Sequence, residues 1–204
     1  SLCCGRFVSF GMTLKCTRLP HIYLWNNEAM AGEVFGGFAC TVCGERHDIL
    51  PLKYSVKAPQ AVLTVPQAEL EQRVVLTSDQ CVIDGQQFFL RGRILIPVHG
   101  LDAPFVWGVW AEVSPKNFMR SNDLWHVAGR EQEPPFTGWL NNDLFLFGDT
   151  INLELNVHTQ PVGERPRFVI ADPHHPLAVQ QRDGISIETI QDIAEMIFHR
   201  GEQC

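Results

Sequence analysis

Residues 81–96 read CVIDGQQFFLRGRILI, and this stretch decides the fold class. Two runs of mostly apolar, β-favouring residues flank Asp84 and Gly85. This pair adopts positive φ angles readily and suits the two-residue type I′ turn that joins antiparallel strands. The stretch therefore predicts a β-hairpin, with its first strand near Cys81 and its second strand running to Ile96.

Further strands are predicted downstream of the hairpin. Residues 104–113 are largely apolar on both faces, which indicates a central strand. Residues 151–158 alternate strictly between apolar and polar, a period of two that a helix cannot use. The polar positions of that strand, which would face water or a ligand, are Asn152, Glu154, Asn156 and His158. Residues 167–171 predict one more short strand between two prolines.

A closing helix is predicted at residues 186–200, where apolar residues recur at steps of three and four. Ser186 is suited to cap its start, and Gly201 is suited to end it. Weaker helical patterns occur at residues 114–125 and 66–73. Strands joined by short connections and followed by a helix predict an α+β domain with an antiparallel sheet and an N-terminal knuckle-like segment.

The composition changes near Met30. Residues 1–29 carry three cations and one acid and show no helical or alternating period. We expect this segment to be a tail that is not part of the native fold. Residues 30–204 are expected to form a single α+β domain that includes a knuckle segment at residues 38–50.

Overall charge and hydropathy argue against two classes of partner, nucleic acids and membranes. The 204 residues contain 16 Lys and Arg against 23 Asp and Glu, a formal charge of −7 that repels phosphate backbones, so we expect no nucleic acid partner. No run approaches the roughly 18 apolar residues that cross a bilayer, so no membrane association is expected. The N-terminal residues also lack the apolar core of a secretory signal, which favours a cytoplasmic protein.

The most specific short motif is CTVCG at residues 40–44. Two thiolates separated by two residues can hold one metal ion, and the glycine relaxes the turn behind them. Tetrahedral zinc requires four ligands, and no second motif of this kind follows. The closing ligands would then come from His47, from Cys81 or from a more distant histidine. We predict a structural zinc site formed by Cys40, Cys43, His47 and Cys81.

Other interpretations of these cysteines remain open. The two thiols of the motif could stay reduced without a metal, or they could act as a redox pair, although the sequence shows no βαβ context for that chemistry. Disulfides are disfavoured by the odd number of cysteines and the absence of a secretory signal. Cys81 begins a predicted strand, where a buried thiol packs as a small apolar side chain.

Catalytic residues are not specified by any familiar signature. The chain lacks a nucleophile elbow, a phosphate loop, a metalloprotease helix and a dinucleotide fingerprint. We therefore interpret it as a module that binds an unknown protein or small-molecule ligand and is stabilised by structural zinc. A zinc-dependent hydrolase is the alternative, with His158 or His175 as weak candidates for its acid or base. A module that neutralises a toxin or binds another protein through its acidic surface is a second alternative.

An ordered set of motifs also resembles a known family. They are CTVCG at 40–44 with His47, SDQCVIDG at 78–85, FVWGVW at 105–110, PPFTGWL at 134–140, NVHT at 156–159 and HPLAVQQ at 175–181. Together, over about residues 38–199, they resemble the bacterial domain of unknown function 2199. The resemblance implies a small cytoplasmic bacterial protein and no established activity. Its matched segments include the knuckle, Cys81 and the motifs around His158 and His175.

Overall fold

The structure of the protein is a computed structural model that describes residues 34–199. The predicted tail at residues 1–29 lies outside the described residues. The strands are β1 (Val34–Ala39), β2 (Arg46–Pro51), β3 (Lys53–Ser55), β4 (Val74–Leu76), β5 (Gln80–Ile83), β6 (Gln87–Ile96), β7 (Phe105–Val113), β8 (Phe136–Leu140), β9 (Glu154–His158) and β10 (Arg167–Ile170). The helices are α1 (Leu70–Arg73), α2 (Pro115–Asp123), α3 (Pro176–Asp183) and α4 (Ile187–His199).

The predicted hairpin is confirmed as β5 and β6. Asp84 and Gly85 have φ angles of 54° and 66°, as the central residues of a type I′ turn require. The Gln86 N–H closes the turn by donating to the Ile83 carbonyl at 3.0 Å. The local sequence signal and the observed backbone therefore agree.

Strand β7 is central, as its apolar faces predict. It pairs antiparallel with β6 and β8 and parallel with β3. Trp107 on one face and Trp110 on the other are both fully buried. A strand covered on both faces is expected to carry a near-continuous apolar run, and this one does.

Five strands close into a barrel in the order β7, β8, β9, β10 and β6, with β6 returning to β7. The expectation of an antiparallel sheet holds for four of these five pairings, but β10 lies parallel to β6. The reason is topological: strand directions cannot alternate all the way around a ring with an odd number of members. A second parallel pair, β3 with β7, lies outside the ring.

Side chains fill the space that these strands enclose. The register places a set of buried residues on one face of β6, β7, β9 and β10: Ile94, Trp107, Val109, Leu155, Val157 and Phe168. A Cβ atom at Gly92 would lie 2.2 Å from the Phe168 ring, so glycine in β6 allows the close approach of β10. The packing of Phe168 against β6 therefore requires glycine at position 92.

The alternating stretch forms a shorter strand than predicted. β9 begins at Glu154 because Asn152, at a φ of 61°, turns the chain before the strand starts. Leu155 and Val157 are buried, whereas Glu154 and Asn156 are exposed. The predicted polar row is therefore an exposed outer face of the barrel.

Serine side chains cap the starts of two helices, and the cap at Ser186 is the one that the sequence predicted. The Ser114 hydroxyl accepts from the Asn117 N–H at the start of α2, and Ser186 accepts from Thr189 N–H at the start of α4. The helical pattern at residues 66–73 yields only a short 3-10 turn followed by α1. Helix α3 was not predicted, because its apolar stripe is weak.

Strands β1 and β2 form a separate two-stranded antiparallel sheet. Phe38, Cys40 and Leu50 from this sheet and its loop belong to the same buried core as Ile190 and Ile193 of α4. The predicted C-terminal helix therefore closes the fold by packing against the knuckle segment. None of the helices that the structure describes combines the length and apolar composition needed to cross a bilayer.

Candidate metal centre

The knuckle is the loop between β1 and β2, residues 40–45. The Gly44 N–H donates to the Cys40 carbonyl at 3.0 Å, and the Cys40 N–H donates to the Glu45 carbonyl at 2.8 Å. Gly44 has a φ of 75°, a conformation that glycine adopts without strain. These two hydrogen bonds curl the loop so that both cysteine sulfurs lie on one side of it.

Helix α4 delivers the remaining donor from the far end of the described chain. His199 is the last residue of α4, and its Nε2 lies 3.2 Å from the Cys40 Sγ. The Cys43 Sγ lies 3.5 Å from Nε2 of His47, which projects from β2. The donor atoms of Cys40, Cys43, His47 and His199 all lie within 4.8 Å of one another.

These distances fit a metal ion of tetrahedral preference. In a zinc site with bonds of about 2.3 Å to sulfur and about 2.0 Å to nitrogen, neighbouring donors lie roughly 3.3–3.8 Å apart. The Cys40–His199 and Cys43–His47 sulfur–nitrogen distances, 3.2 and 3.5 Å, are close to that range. A set of two thiols and two imidazoles also matches the ligand types that structural zinc sites use.

Aromatic contacts orient the His47 imidazole. Its ring stacks on Phe38, with centroids 5.1 Å apart and planes inclined by 23°. Phe198 lies on it at 5.3 Å, and the His199 ring meets it edge-on at 6.2 Å. The two imidazoles are therefore not parallel, which allows both Nε2 atoms to point toward one centre.

A second contact fastens α4 to the knuckle next to the cluster. The Glu195 carboxylate accepts from the Thr41 backbone N–H at 2.7 Å and from the Thr41 hydroxyl. These bonds hold the pKa of Glu195 below its ordinary value, with a smaller electrostatic contribution from His199. Because Glu195 precedes His199 by one helical turn, the same helix face carries both attachments.

The two cysteines differ in acidity. Burial acts to raise the pKa of the Cys40 thiol, but the backbone N–H groups of Cys43 and Val42 and the side chains of Cys43 and His47 outweigh it, and the pKa falls to about 6. The Glu45 N–H acts to lower the pKa of Cys43, but burial and the adjacent Cys40 raise it overall. The lowered pKa favours the thiolate form of Cys40, which is the form that binds a metal.

Cys81, the fourth predicted ligand, is not part of the cluster. It lies in β5, fully buried in the apolar core, where burial raises its thiol pKa to about 12. A thiol that stays protonated in an apolar environment packs as a small hydrophobic residue. His199 takes the position that the sequence analysis assigned to Cys81.

His199 was missed because its distance along the chain carries no ligand signal. The available hint was an acidic residue and a histidine one turn apart, Glu195 and His199, in the last turns of an amphipathic helix. That pattern indicates a polar attachment at the helix end but does not say to what.

The weak catalytic candidates are separated from each other. His158 ends β9 opposite Arg167, where β10 begins, whereas His175 follows the end of β10. His175 also acts as the N-cap of α3, since its Nδ1 accepts from the Leu177 N–H at 3.2 Å. The two histidines therefore lie at opposite ends of one strand pair, and neither joins the metal cluster.

Comparison with known proteins places the chain in a family. Residues 39–185 match the model of a family described as an uncharacterized protein conserved in bacteria, domain of unknown function 2199. The chain belongs to this family. The match to domain of unknown function 2199 includes Cys40, Cys43 and His47, whereas His199 lies beyond its end.

No curated protein matches the chain, and no solved structure matches it. Membership of the family confirms the resemblance that the motifs indicated. It adds no known activity.

Proposed function

We propose that the protein is a binding module whose fold is fastened by one structural zinc ion, held by Cys40, Cys43, His47 and His199. The observation that carries the zinc site is the convergence of four donor atoms within 4.8 Å of one another from opposite ends of the described chain. Two donors come from the knuckle, the third from β2 and the fourth from the end of α4.

The ligand set favours a structural over a catalytic role. Four protein donors complete a tetrahedral shell, whereas catalytic zinc keeps one position open for water. A zinc-dependent hydrolase would also need an acid or base beside the metal, and His158 and His175 lie outside the cluster. Both points support the binding-module proposal over the hydrolase alternative.

The energetic role of the ion follows from the connectivity. A metal that links residue 40 to residue 199 closes a loop of 159 residues. Cross-linking a long loop removes much conformational freedom from the unfolded chain, so the folded state gains stability. Zinc binding and docking of α4 on the knuckle are thus one event.

The experiment is a metal analysis coupled to a melt. Zinc per chain is measured on the purified protein, and thermal unfolding is followed before and after treatment with a strong chelator. We expect one zinc in this site and a melting temperature that falls on chelation and recovers when zinc is restored. Because the chain has seven cysteines, the same analysis is done on Cys43→Ser, which should lose this ion. An unchanged melting temperature of the wild-type protein after chelation would overturn the proposal.

A further inference from the structure

A concave region lies on the barrel away from the metal centre, between α2, β6 and the loops at residues 130–136 and 159–166. It consists of two cavities of about 530 and 430 Å³ that share Asp79, Trp125 and Arg130 in their walls. Each volume falls within the roughly 300–1,000 Å³ typical of small-molecule sites. No residue of the metal cluster lines either cavity.

The charge of this cleft is opposite to that of the chain. Seven Lys and Arg side chains and four carboxylates line the two cavities, a balance of +3. The remaining sequence carries nine such cations and 19 acids, a balance of −10. A positive cleft on an acidic protein attracts anions locally while the rest of the surface repels them.

Arg130 is the fixed centre of this positive charge. It is 7% exposed, and its guanidinium donates to four backbone carbonyls, those of Gln160, Trp125, Pro161 and Glu164, at 2.7–3.1 Å. Carbonyl dipoles hold the group rigidly but leave its full unit charge in place. Within residues 34–199, no ion pair includes Arg130.

Arg91 places a second buried cation in the wall. It is 7% exposed, lies 5.8 Å over the Trp110 ring, and donates to the Ser78 carbonyl at 3.3 Å. The carboxylate of Asp79 is engaged by Arg165 at 2.6 Å and by the Ser78 hydroxyl. The Asp79 carboxylate therefore has Arg165 as its hydrogen-bonded partner, and Arg91 adds a favourable charge interaction with it.

Apolar and aromatic groups complete the larger cavity. Leu90, Leu124, Trp125, Pro134 and Phe136 line it together with the charged groups. Trp125 also carries the Arg130 guanidinium over its ring at 5.6 Å. A site with fixed cations beside aromatic walls matches a ligand that has an oxyanion group on an apolar body.

We infer that this cleft binds a small organic anion, whose oxyanion meets Lys116 in the positive field of the buried Arg91 and Arg130 guanidinium groups while its apolar part lies along Trp125 and Phe136. The inference rests on the binding role proposed above and names the ligand class for it. It does not depend on zinc.

The test uses anilinonaphthalene sulfonate, an aromatic anion whose fluorescence rises on binding, with uncharged phenylnaphthylamine as its neutral counterpart. Titrations are made on the full zinc-loaded chain and on K116E, which reverses an exposed charge in the cavity wall. The matched control is K57E, an exposed lysine that lines neither cavity. We expect K116E to weaken binding of the sulfonate about tenfold at low ionic strength and K57E to leave it unchanged.

Competition identifies the anion class. Displacement of the sulfonate by inorganic phosphate or by benzoate supports the inference and distinguishes a phosphate from a carboxylate ligand. Equal loss of affinity in K116E and K57E, equal binding of the charged and neutral probes, or no displacement by either competitor would overturn it. Zinc content is measured on the same samples. A protein that lacks zinc but binds the sulfonate contradicts the zinc proposal alone, and a zinc-loaded protein that does not bind it contradicts the cleft alone.

Discussion

The Cys40 sulfur and the His199 Nε2 atom lie 3.2 Å apart although 159 positions separate the two residues in the chain. This contact joins the loop before β2 to the last turn of α4. A metal held here would fix both ends of the described fold to each other. Zinc affinity should therefore depend on α4.

Removing the imidazole at the end of α4 should break the metal site. We expect His199→Ala to weaken zinc binding by about 100-fold or more, because three remaining donors leave the tetrahedral shell incomplete. The measurement is a competition titration with a chromogenic zinc chelator. His174→Ala is the matched control, since His174 is exposed and lies outside the cluster. Equal zinc affinity in the two variants would contradict the assignment of His199.

Substitutions of Cys43 and Cys81 should have different effects, one on metal binding and the other on core packing. We expect Cys81→Ser to keep its zinc and to lower the free energy of unfolding by about 1–3 kcal/mol, because a hydroxyl is then buried in an apolar core. Cys43→Ser, at an exposed position, should lose the zinc instead. Urea unfolding and zinc analysis on both proteins check this, and zinc loss in Cys81→Ser would restore Cys81 as a ligand.

The Glu195 carboxylate, which attaches α4 to the knuckle, should affect zinc affinity although it is not a ligand. Glu195→Gln keeps the size of the side chain but cannot accept from both the N–H and the hydroxyl of Thr41 in the same way. We expect zinc affinity to fall about tenfold, as is typical when a group that orients a ligand is changed. Asp192→Asn, an exposed change on the same helix, should leave zinc affinity unaltered. The prediction fails if the two variants bind zinc equally.

Acid stability should depend on Asp79. Burial acts to raise the pKa of this carboxyl, but Ser78 and Arg165 outweigh it and hold the pKa below its ordinary value of 3.8. A depressed folded pKa contributes stability that is present above the ordinary value and is lost as the pH falls through the folded one. Urea unfolding of the wild type should therefore lose more stability below about pH 4 than that of Asp79→Asn.

The control for this measurement is Asp102→Asn, which removes an exposed carboxylate outside the cleft. Its unfolding free energy should follow the wild-type dependence on pH. A parallel pH dependence in wild type and Asp79→Asn would show that the contact with Arg165 contributes no stability.

Adding one methyl group at position 92 of β6 should destabilise the barrel. A Cβ at position 92 would meet the Phe168 ring at 2.2 Å, so Gly92→Ala must displace this buried ring from its place in the barrel. We expect a loss of about 1–3 kcal/mol in the free energy of unfolding, the usual cost of overpacking a core. Gly36→Ala, where an added Cβ meets nothing within 4 Å, should change stability far less. Equal unfolding free energies for the two variants would contradict this account.

Several parts of the fold could be predicted because their cause is local. The turn at Asp84 and Gly85 follows from the backbone preferences of two adjacent residues, and α4 follows from apolar spacing within thirteen residues. The spacing of Cys40 and Cys43 alone likewise predicts that both can bind one metal ion. In each case, the residues that decide the structure are close neighbours in the chain.

Other parts could not be predicted for the opposite reason. Pairing of β10 with β6 joins residue 167 to residue 93, and no alternation pattern within either strand encodes that partner. Asn152 breaks the alternating stretch because tertiary contacts set the backbone there, while the hydropathy pattern continues through it.

The amino-acid sequence alone determined that the protein has a β-hairpin, a central apolar strand, a closing helix and a knuckle with two thiols. Only the tertiary structure decided that His199 rather than Cys81 stands beside those thiols, and that a positive cleft forms on an acidic chain. The physical reason is the range of the interactions: turns and helices depend on neighbouring residues, whereas a four-donor cluster and a charged cavity depend on packing that brings distant segments together.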